Sequence, residues 1–357
     1  LDRQPPTTGD TLRRSERQKA IDAFAASHLP GPDQDLYKEM LVTLCRLARD
    51  NPDRGDVKLL NKALAELRYA FRVFAPYRHI RKISIFGSSR TPENHPDYQA
   101  AVAFARLMGQ NNWMVITGAG DGIMKAGHHG AGRKASFGVA IRLPAEQKTN
   151  TIIADDEKLV NFRYFFTRKL IFIKEASAVA LFPGGFGTQD EGFEVMTLVQ
   201  TGKAPMIPIV LVEHPGGTYW LQWRAYVAAE LLRSGMIGEQ DMDLFTITDD
   251  VEKAARIVCE FYRVYHSMRY VGPELVLRLE RPLSPPTLGR LNEEFSDILT
   301  GGRIEQCEPL PGENGECPGK PRLKFAFDRK STGRLRRLID VINSDPGAEP
   351  VALRGVF

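Results

Sequence analysis

Pro183-Gly184-Gly185-Phe186-Gly187-Thr188-Gln189-Asp190-Glu191 is the stretch on which the fold turns. It follows an apolar run, Ala178-Val179-Ala180-Leu181-Phe182, that reads as a buried strand. It precedes Phe193-Glu194-Val195-Met196-Thr197-Leu198-Val199, whose apolar positions at 193, 195, 196 and 199 suit a helix. Strand, glycine turn and helix in that order aim backbone N–H groups at an anion. Gly184, Gly185 and Gly187 let the main chain come close to a phosphate, and Thr188 adds a hydroxyl or caps the helix. Glu191 lies about one helical turn further in, where a carboxylate would repel phosphate, so it has a different task. A plain strand-to-helix turn would need neither three glycines nor an acid at this spacing.

Working outward, residues 80–265 alternate strand and helix patterns. Strands are expected at 82–86, 113–117, 137–142, 178–182 and 207–212, with helices near 96–110, 122–132, 159–175 and 189–202. This alternation predicts a Rossmann-like α/β domain, a parallel sheet with helices on both faces and its site at the carboxyl ends of the strands. Two more glycine-rich turns, Gly87-Ser88-Ser89-Arg90 and Gly118-Ala119-Gly120-Asp121-Gly122, also begin directly after strands, on the same edge. Three loops far apart in sequence are thus expected to build one site.

Together these residues resemble the LONELY GUY family of nucleoside 5′-monophosphate phosphoribohydrolases, proteins often mislabelled lysine decarboxylases. The resemblance rests on Pro-Gly-Gly-x-Gly-Thr-x-x-Glu at 183–191 and on Arg168-Lys169, with Arg168 placed 23 residues before Glu191. It extends to the turns at 87–90 and 118–124 and to Leu143-Pro144-Ala145-Glu146-Gln147, and covers roughly residues 80–220. It implies Arg168 and Glu191 as the catalytic pair. It further implies Gly87, Ser88, Glu146, Lys169, Gly184, Gly185, Gly187, Thr188 and Thr197 as substrate contacts, with no cofactor and no metal. The implied reaction is hydrolysis of the N-glycosidic bond of a purine nucleoside 5′-monophosphate, AMP or an N6-prenylated relative, by a homodimer or a higher even-numbered assembly. Shorter members carry Met-His-x-Arg-Lys where this chain has Phe165-Phe166-Thr167-Arg168-Lys169, so the preferred base stays open.

Other activities fit less well. A dinucleotide-dependent dehydrogenase would want Gly-x-Gly-x-x-Gly, but Gly118-x-Gly120-x-x is followed by Ile123. No lysine is marked for a pyridoxal-phosphate Schiff base. A non-catalytic nucleotide or cofactor carrier is the main alternative, and retention of both Arg168 and Glu191 favours the enzyme.

The 357 residues are 43% hydrophobic with a net charge of +4, ample for a sizeable core and without a nucleic-acid footprint. No apolar run is long enough for a membrane span, and Leu1–Pro6 lacks the apolar stretch of a secretory signal, so a cytoplasmic protein is expected. Cys45, Cys259, Cys307 and Cys317 lack Cys-x-x-Cys spacing. Residues 1–79 read as a helical region, with helices near 11–27, 35–50 and 56–75. Residues 266–357 read as a ferredoxin-like α+β unit in the order βαββαβ, with strands at 276–279, 303–307, 323–327 and 351–353 and helices at 288–299 and 335–343. The Pro/Gly-rich loop 309–321 carries no apolar period and is expected to bury little and be the most mobile part.

Overall fold

A computed structural model describes residues 8–142, 149–349 and 351–355. The chain divides into two compact units, residues 1–65 and 66–357. The first contains α1 (Thr8–His28), α2 (Gln34–Asp50) and most of α3 (Arg54–Phe74).

The second unit opens with the end of α3 and then alternates strand and helix. The elements are β1 (Lys82–Phe86), α4 (Pro96–Gln110), β2 (Met114–Thr117), α5 (Ile123–Ala131), β3 (Ser136–Ile141), β4 (Leu159–Phe162), α6 (Phe165–Lys174), β5 (Ala178–Leu181) and α7 (Phe186–Gln200). They continue with β6 (Ile209–Val212), α8 (Tyr219–Tyr226), β7 (Thr246–Thr248) and α9 (Val251–Glu260). Seven parallel strands form one sheet in the order β4-β3-β2-β1-β5-β6-β7. This is the expected Rossmann-like sheet. Two of its strands went unforeseen. Leu159-Val160-Asn161-Phe162 fits a helical pattern as well as a strand, and only pairing with β3, Gly138 opposite Leu159, decides for the strand. Thr246–Thr248 is three residues long and leaves no periodic signal.

Side chains alternate across the sheet with the period of two that a pleated strand imposes. Ile83 and Ile85 of β1, with Val115 and Ala180, pack under α4, α5 and α9. Phe86, Ile116, Val139 and Leu181 turn to the other face, beneath α3, α6 and α7. One residue of β1 departs from this pattern: Ser84 donates its hydroxyl to the Phe172 carbonyl at 2.9 Å, tying β1 to α6.

The α3 helix contributes more than cover. Glu66, buried, accepts from the Arg163 N–H and from the Thr167 hydroxyl, both at 2.8 Å. A carboxylate at this helix start complements the unsatisfied donors and positive dipole end of α6. It fixes the entry angle of the helix that carries Arg168.

The C-terminal part contains β8 (Tyr265–Val271), β9 (Glu274–Leu279), α10 (Pro285–Glu294), β10 (Leu299–Cys307), β11 (Arg322–Phe327) and α11 (Thr332–Asn343). Its four strands form an antiparallel sheet ordered β10-β11-β9-β8. It is an α+β unit, but its order is ββαββα and not the ferredoxin-like βαββαβ. Tyr265–Val271 adds a strand at the front, paired with β9. At the other end, residues 351–353 form no strand; Leu353 packs near α4, and Arg354 donates its N–H to Asn111 at 3.0 Å. One apolar core runs from the parallel sheet into this unit, joining Val195 and Val199 to Leu277, Phe325 and Leu338. Among the described residues no helix is long and apolar enough to cross a membrane.

The loop 309–321 is held by charge, contrary to the expectation that it would bury little. Glu313 is 1% exposed and Arg322 is fully buried. The Glu313 carboxylate accepts from Arg278 at 2.8 Å, from Arg322 at 3.1 Å and from the Leu310 N–H at 3.0 Å. Glu316 adds ion pairs to Arg278 at 2.9 Å and Arg269 at 3.0 Å. Burial alone would raise the Glu313 carboxyl, but the two guanidinium groups outweigh it and hold it below the ordinary glutamate value. Removing one partner of a buried ion cluster leaves the others uncompensated. Glu313→Ala is therefore expected to lower stability by about 3–5 kcal/mol, seen as a reduced urea midpoint. An unchanged midpoint would show that the loop is not anchored through this carboxylate.

Candidate functional site

Strand order reverses between β1 and β5: β2, β3 and β4 build outward on one side, β6 and β7 on the other. The loops leaving these two strands diverge, and a crevice opens at such a switch point. A cavity of about 740 Å³ lies there, lined by the turns after β1, β2 and β5 and by α6 and α7. The three glycine-rich turns thus converge as the sequence suggests.

Hydrogen bonds through one residue knit the turns together. Ser88 donates its N–H to the Pro183 carbonyl at 3.1 Å and accepts from the Ile123 N–H at 3.0 Å. The glycines permit this closeness. A Cβ on Gly87 would meet Ile123 at 2.6 Å, and one on Gly184 would overlap Thr188 and come within 2.9 Å of the Ser88 nitrogen. Gly122 has φ +60°, and a side chain there would collide with the backbone of Ser88 and Ser89. The helix α7 begins at Phe186, three residues earlier than expected, with Gly185 as its N-cap. Thr188 is consequently inside the first turn, buried against Gly184, and does not cap the helix.

The cavity brings together Gly87, Ser88, Arg168, Gly184, Gly185, Gly187, Thr188 and Glu191. Arg168 donates Nε–H to the Val139 carbonyl at 2.9 Å and lies 5.0 Å over the Phe172 ring. Both contacts point its guanidinium past Gly118, where a Cβ would meet one terminal nitrogen at 2.6 Å. Burial lowers the Arg168 pKa and the Glu191 charge opposes that shift; a guanidinium stays protonated throughout.

Glu191 is 7% exposed, and among the described residues its Oε2 has no hydrogen-bond partner. Burial pushes its pKa up to about 7 despite the opposing charges of Lys169 and Arg168. A carboxyl poised near neutrality can hold or release a proton at physiological pH.

Two expected contacts fall elsewhere. Lys169 pairs with Glu194 at 2.6 Å and Asp190 at 2.8 Å. With Thr197 it lines a separate shallow groove of about 460 Å³ between α6 and α7. Helical geometry explains both: Lys169 is turned 100° from Arg168, and Thr197, six residues past Glu191, points to another side of α7. Glu146 lies outside the described residues.

Tyr219 and Glu213 had no sequence signal. The Tyr219 hydroxyl donates to the Gly184 carbonyl and accepts from Gln189 Nε2, both at 2.6 Å. Buried Glu213 holds Tyr219 in turn, accepting its N–H at 2.8 Å. Met124, Ile141 and Phe165 form an apolar wall, and Phe186, 97% exposed, stands at the mouth. The glycines, Ser88, Thr188, the charged pair and the departure at Phe165 could be read from the sequence; the tyrosine is 35 residues from the carbonyl it holds. Among the described residues no group of three or more His, Cys, Asp or Glu side chains is arranged to hold a metal ion.

The buried carboxyl gives a stability test independent of any reaction. Its folded pKa lies above the unfolded one, so its contribution is fully present below pH ~4.5 and is lost as pH rises through about 7. Wild type should lose up to about 3 kcal/mol relative to Glu191→Gln between pH 4.5 and pH 8. Parallel stability profiles from urea unfolding would show that Glu191 ionises normally.

Among solved structures the chain is similar to the molybdenum cofactor binding protein of the phototrophic bacterium Rippkaea orientalis, at 17% identity over 50% of this chain and 94% of that one, TM-score 0.36. It is similar to the molybdenum cofactor carrier protein of Chlamydomonas reinhardtii, at 17% identity over 51% of this chain and 97% of that one, TM-score 0.35. It is also similar to the DNA processing protein A of Helicobacter pylori, at 12% identity over 51% of this chain and 82% of that one, TM-score 0.36. No curated protein matches the chain. Residues 119–258, a segment containing both Arg168 and Glu191, match the model of the family described as "Possible lysine decarboxylase".

Proposed function

We propose that this protein hydrolyses the N-glycosidic bond of a purine nucleoside 5′-monophosphate, releasing the free base and ribose 5-phosphate. The observation that carries this reading is Glu191, a buried carboxyl with a pKa of about 7, inside the cavity entered by the glycine turn and Arg168. The turn at Gly184–Thr188 receives the 5′-phosphate at the start of α7, where the Phe186 and Gly187 N–H groups precede the first intrahelical hydrogen bond, from Thr188 to Gly185. That anchorage sets the ribose beside Glu191, deeper in the same helix. The Met124, Ile141 and Phe165 wall takes the flat apolar face of the base.

In the reaction a water oxygen bonds to C1′ as the bond from C1′ to the base nitrogen breaks, and the electron pair leaves with the base. Positive charge grows on the sugar, and ionised Glu191 stabilises it while accepting a proton from the attacking water. The Arg168 fork stabilises the negative charge on the departing base. Return of the proton to the base nitrogen restores the carboxylate. The phosphate thus contributes to the transition state as well as to binding. The alternative, a non-catalytic nucleotide or cofactor carrier, would leave no task for a carboxyl held near neutral pKa.

The resemblance implies a homodimer with the cavity near the interface. Phe165, Phe166 and Leu170 of α6, each about half exposed, put an apolar rim beside the cavity and support that arrangement.

Incubation with a panel of monophosphates and nucleosides tests the reading. Free base should appear from AMP-like 5′-monophosphates and hardly at all from nucleosides; equal turnover of AMP and adenosine would remove its basis. Because the carboxylate form is the active one, kcat/KM should fall about tenfold per pH unit below an apparent pKa near 7. A flat profile from pH 5 to 8 would separate Glu191 from the chemistry.

Arg168→Ala and Glu191→Gln should each lower kcat by about 10² or more, with less than additive effects together. Gly118→Ala tests the same arginine from outside: its methyl displaces only the flexible end of Arg168 and the Met124 sulfur, both at 2.6 Å. It should lower kcat while the thermal midpoint changes little. Full activity in all three variants would remove both residues from the chemistry, whereas binding of monophosphates without any cleavage by the wild type would favour the carrier.

A further inference from the structure

We propose that His128 and Asn150 are positioning residues for Arg168: they hold the turn after β2 in the shape against which the guanidinium is seated. His128 is fully buried and Asn150 is 3% exposed, and neither lines the cavity. Polar groups withdrawn from water in this way need hydrogen-bond partners. Here the partners are mostly main-chain atoms of one turn.

The hydrogen bonds fix the tautomer of the ring. His128 Nε2 lies 3.1 Å from the Phe137 carbonyl, which can only accept, so Nε2 carries the proton. Thr117 Oγ1, at 3.0 Å, is within reach of the same proton. Nδ1 is then an acceptor, and Asn150 Nδ2 donates to it at 3.1 Å. The second hydrogen of that amide goes to the Gly120 carbonyl at 3.0 Å, and the Asn150 main-chain N–H goes to the Ala119 carbonyl at 2.8 Å. Burial lowers the His128 pKa and so keeps the ring in the neutral form that this pattern requires.

The turn held by this network is strained. Ala119 has φ +63°, a left-handed conformation that an L residue keeps only where its surroundings over-determine it. Both of its main-chain polar groups are taken, the N–H by Thr117 Oγ1 at 3.1 Å and the carbonyl by Asn150. The preceding residue, Gly118, passes so close to Arg168 that a Cβ would meet Nη2 at 2.6 Å. β2 ends at Thr117, opposite Gly138, and Arg168 takes the next carbonyl of β3, that of Val139. His128 takes the carbonyl of Phe137 on the same strand. The imidazole and the guanidinium are thus referred to one strand, and the turn is fixed relative to both. Without the Asn150 amide donors the Gly120 carbonyl is released, Ala119 can relax, and Gly118 no longer bounds the Arg168 fork.

The kinetic arm of the test rests on the proposed hydrolysis; the titration arm does not. In the full chain, His128→Leu removes both ring nitrogens at similar volume, whereas His128→Gln keeps one donor and one acceptor. A displacement of about 1 Å at a reacting group can cost about a hundredfold, so His128→Leu should lower kcat for AMP by at least about tenfold. KM should stay within about twofold, because the turn at 184–188 makes none of these hydrogen bonds, and His128→Gln should recover most of the lost kcat. Separately, the Glu191 carboxyl is titrated by ¹³C NMR, its signal assigned with Glu191→Gln. Burial raises its pKa, and Lys169 and Arg168 oppose that rise. A loosened Arg168 should therefore let Glu191 titrate higher in His128→Leu, toward its value in Arg168→Ala. A purely structural role would lower the thermal midpoint but leave kcat of the folded protein and the Glu191 titration as in wild type, and that result overturns the proposal. If wild type does not cleave AMP, the hydrolase reading fails and the Glu191 titration alone decides this inference. Should His128→Leu not fold, Asn150→Ala is read in the same way. The wild-type ring gives a further check by ¹⁵N NMR: a neutral imidazole protonated on Nε2 is expected, and one protonated on Nδ1 overturns the proposal.

Discussion

Everything in the second unit depends on the approach of two strand ends, joined by the hydrogen bond from the Ser88 N–H to the Pro183 carbonyl. β1 and β5 are adjacent and parallel, yet the chain leaves them in opposite lateral directions. A crevice at that reversal follows from topology alone. What topology does not supply is walls close enough to grip a small ligand. Ser88 supplies them by also taking the Ile123 N–H, so the turns after β1, β2 and β5 share one backbone node. Gly87, Gly122 and Gly184 are the residues whose missing side chains allow that node to form.

The node fixes where charge can be placed. Glu191 sits in α7 behind the turn, so it is shielded by the same packing that holds the turn together. Its raised pKa is a consequence of that shielding, with two nearby cations only partly offsetting it. Arg168 reaches the cavity from α6, held by the Val139 carbonyl of β3 on one side and Phe172 on the other. The α6 helix is itself started by Glu66 of α3. A residue well before the glycine-rich region therefore helps to aim the arginine, through a carboxylate that satisfies donors at a helix end.

Legibility in the sequence follows from the range of each interaction. Glycines forced by backbone closeness, and the pair Arg168 and Glu191, stand at fixed spacing and could be read from one chain. The sheet was legible where strands are long and apolar, and lost at Leu159–Phe162 and Thr246–Thr248, where pairing and not composition makes the strand. Lys169 and Thr197, implied as contacts by the resemblance, line a different groove because a helix turns them away from Arg168 and Glu191. Tyr219 and Glu66 were invisible because each acts on a residue far along the chain. The same holds for Glu313: a Pro/Gly-rich loop looks unanchored until Arg278 and Arg322, on two different strands, are brought to one carboxylate.

The flanks raise a question that the central site alone does not. A nucleotide-sized cavity needs only the parallel sheet and its helices, yet the apolar core continues without a break into the C-terminal sheet. α11 takes part in this junction: the Thr332 hydroxyl at its start donates to the Gln200 carbonyl, the last residue of α7, at 3.0 Å. The helix whose first turn forms the glycine site and whose second carries Glu191 is thus braced at its far end by the C-terminal unit. A long helix held at both ends keeps its axis, and the axis decides whether the turn and the carboxylate meet one ligand. The C-terminal unit then bears on the site by holding α7 straight, without contributing a residue to the cavity.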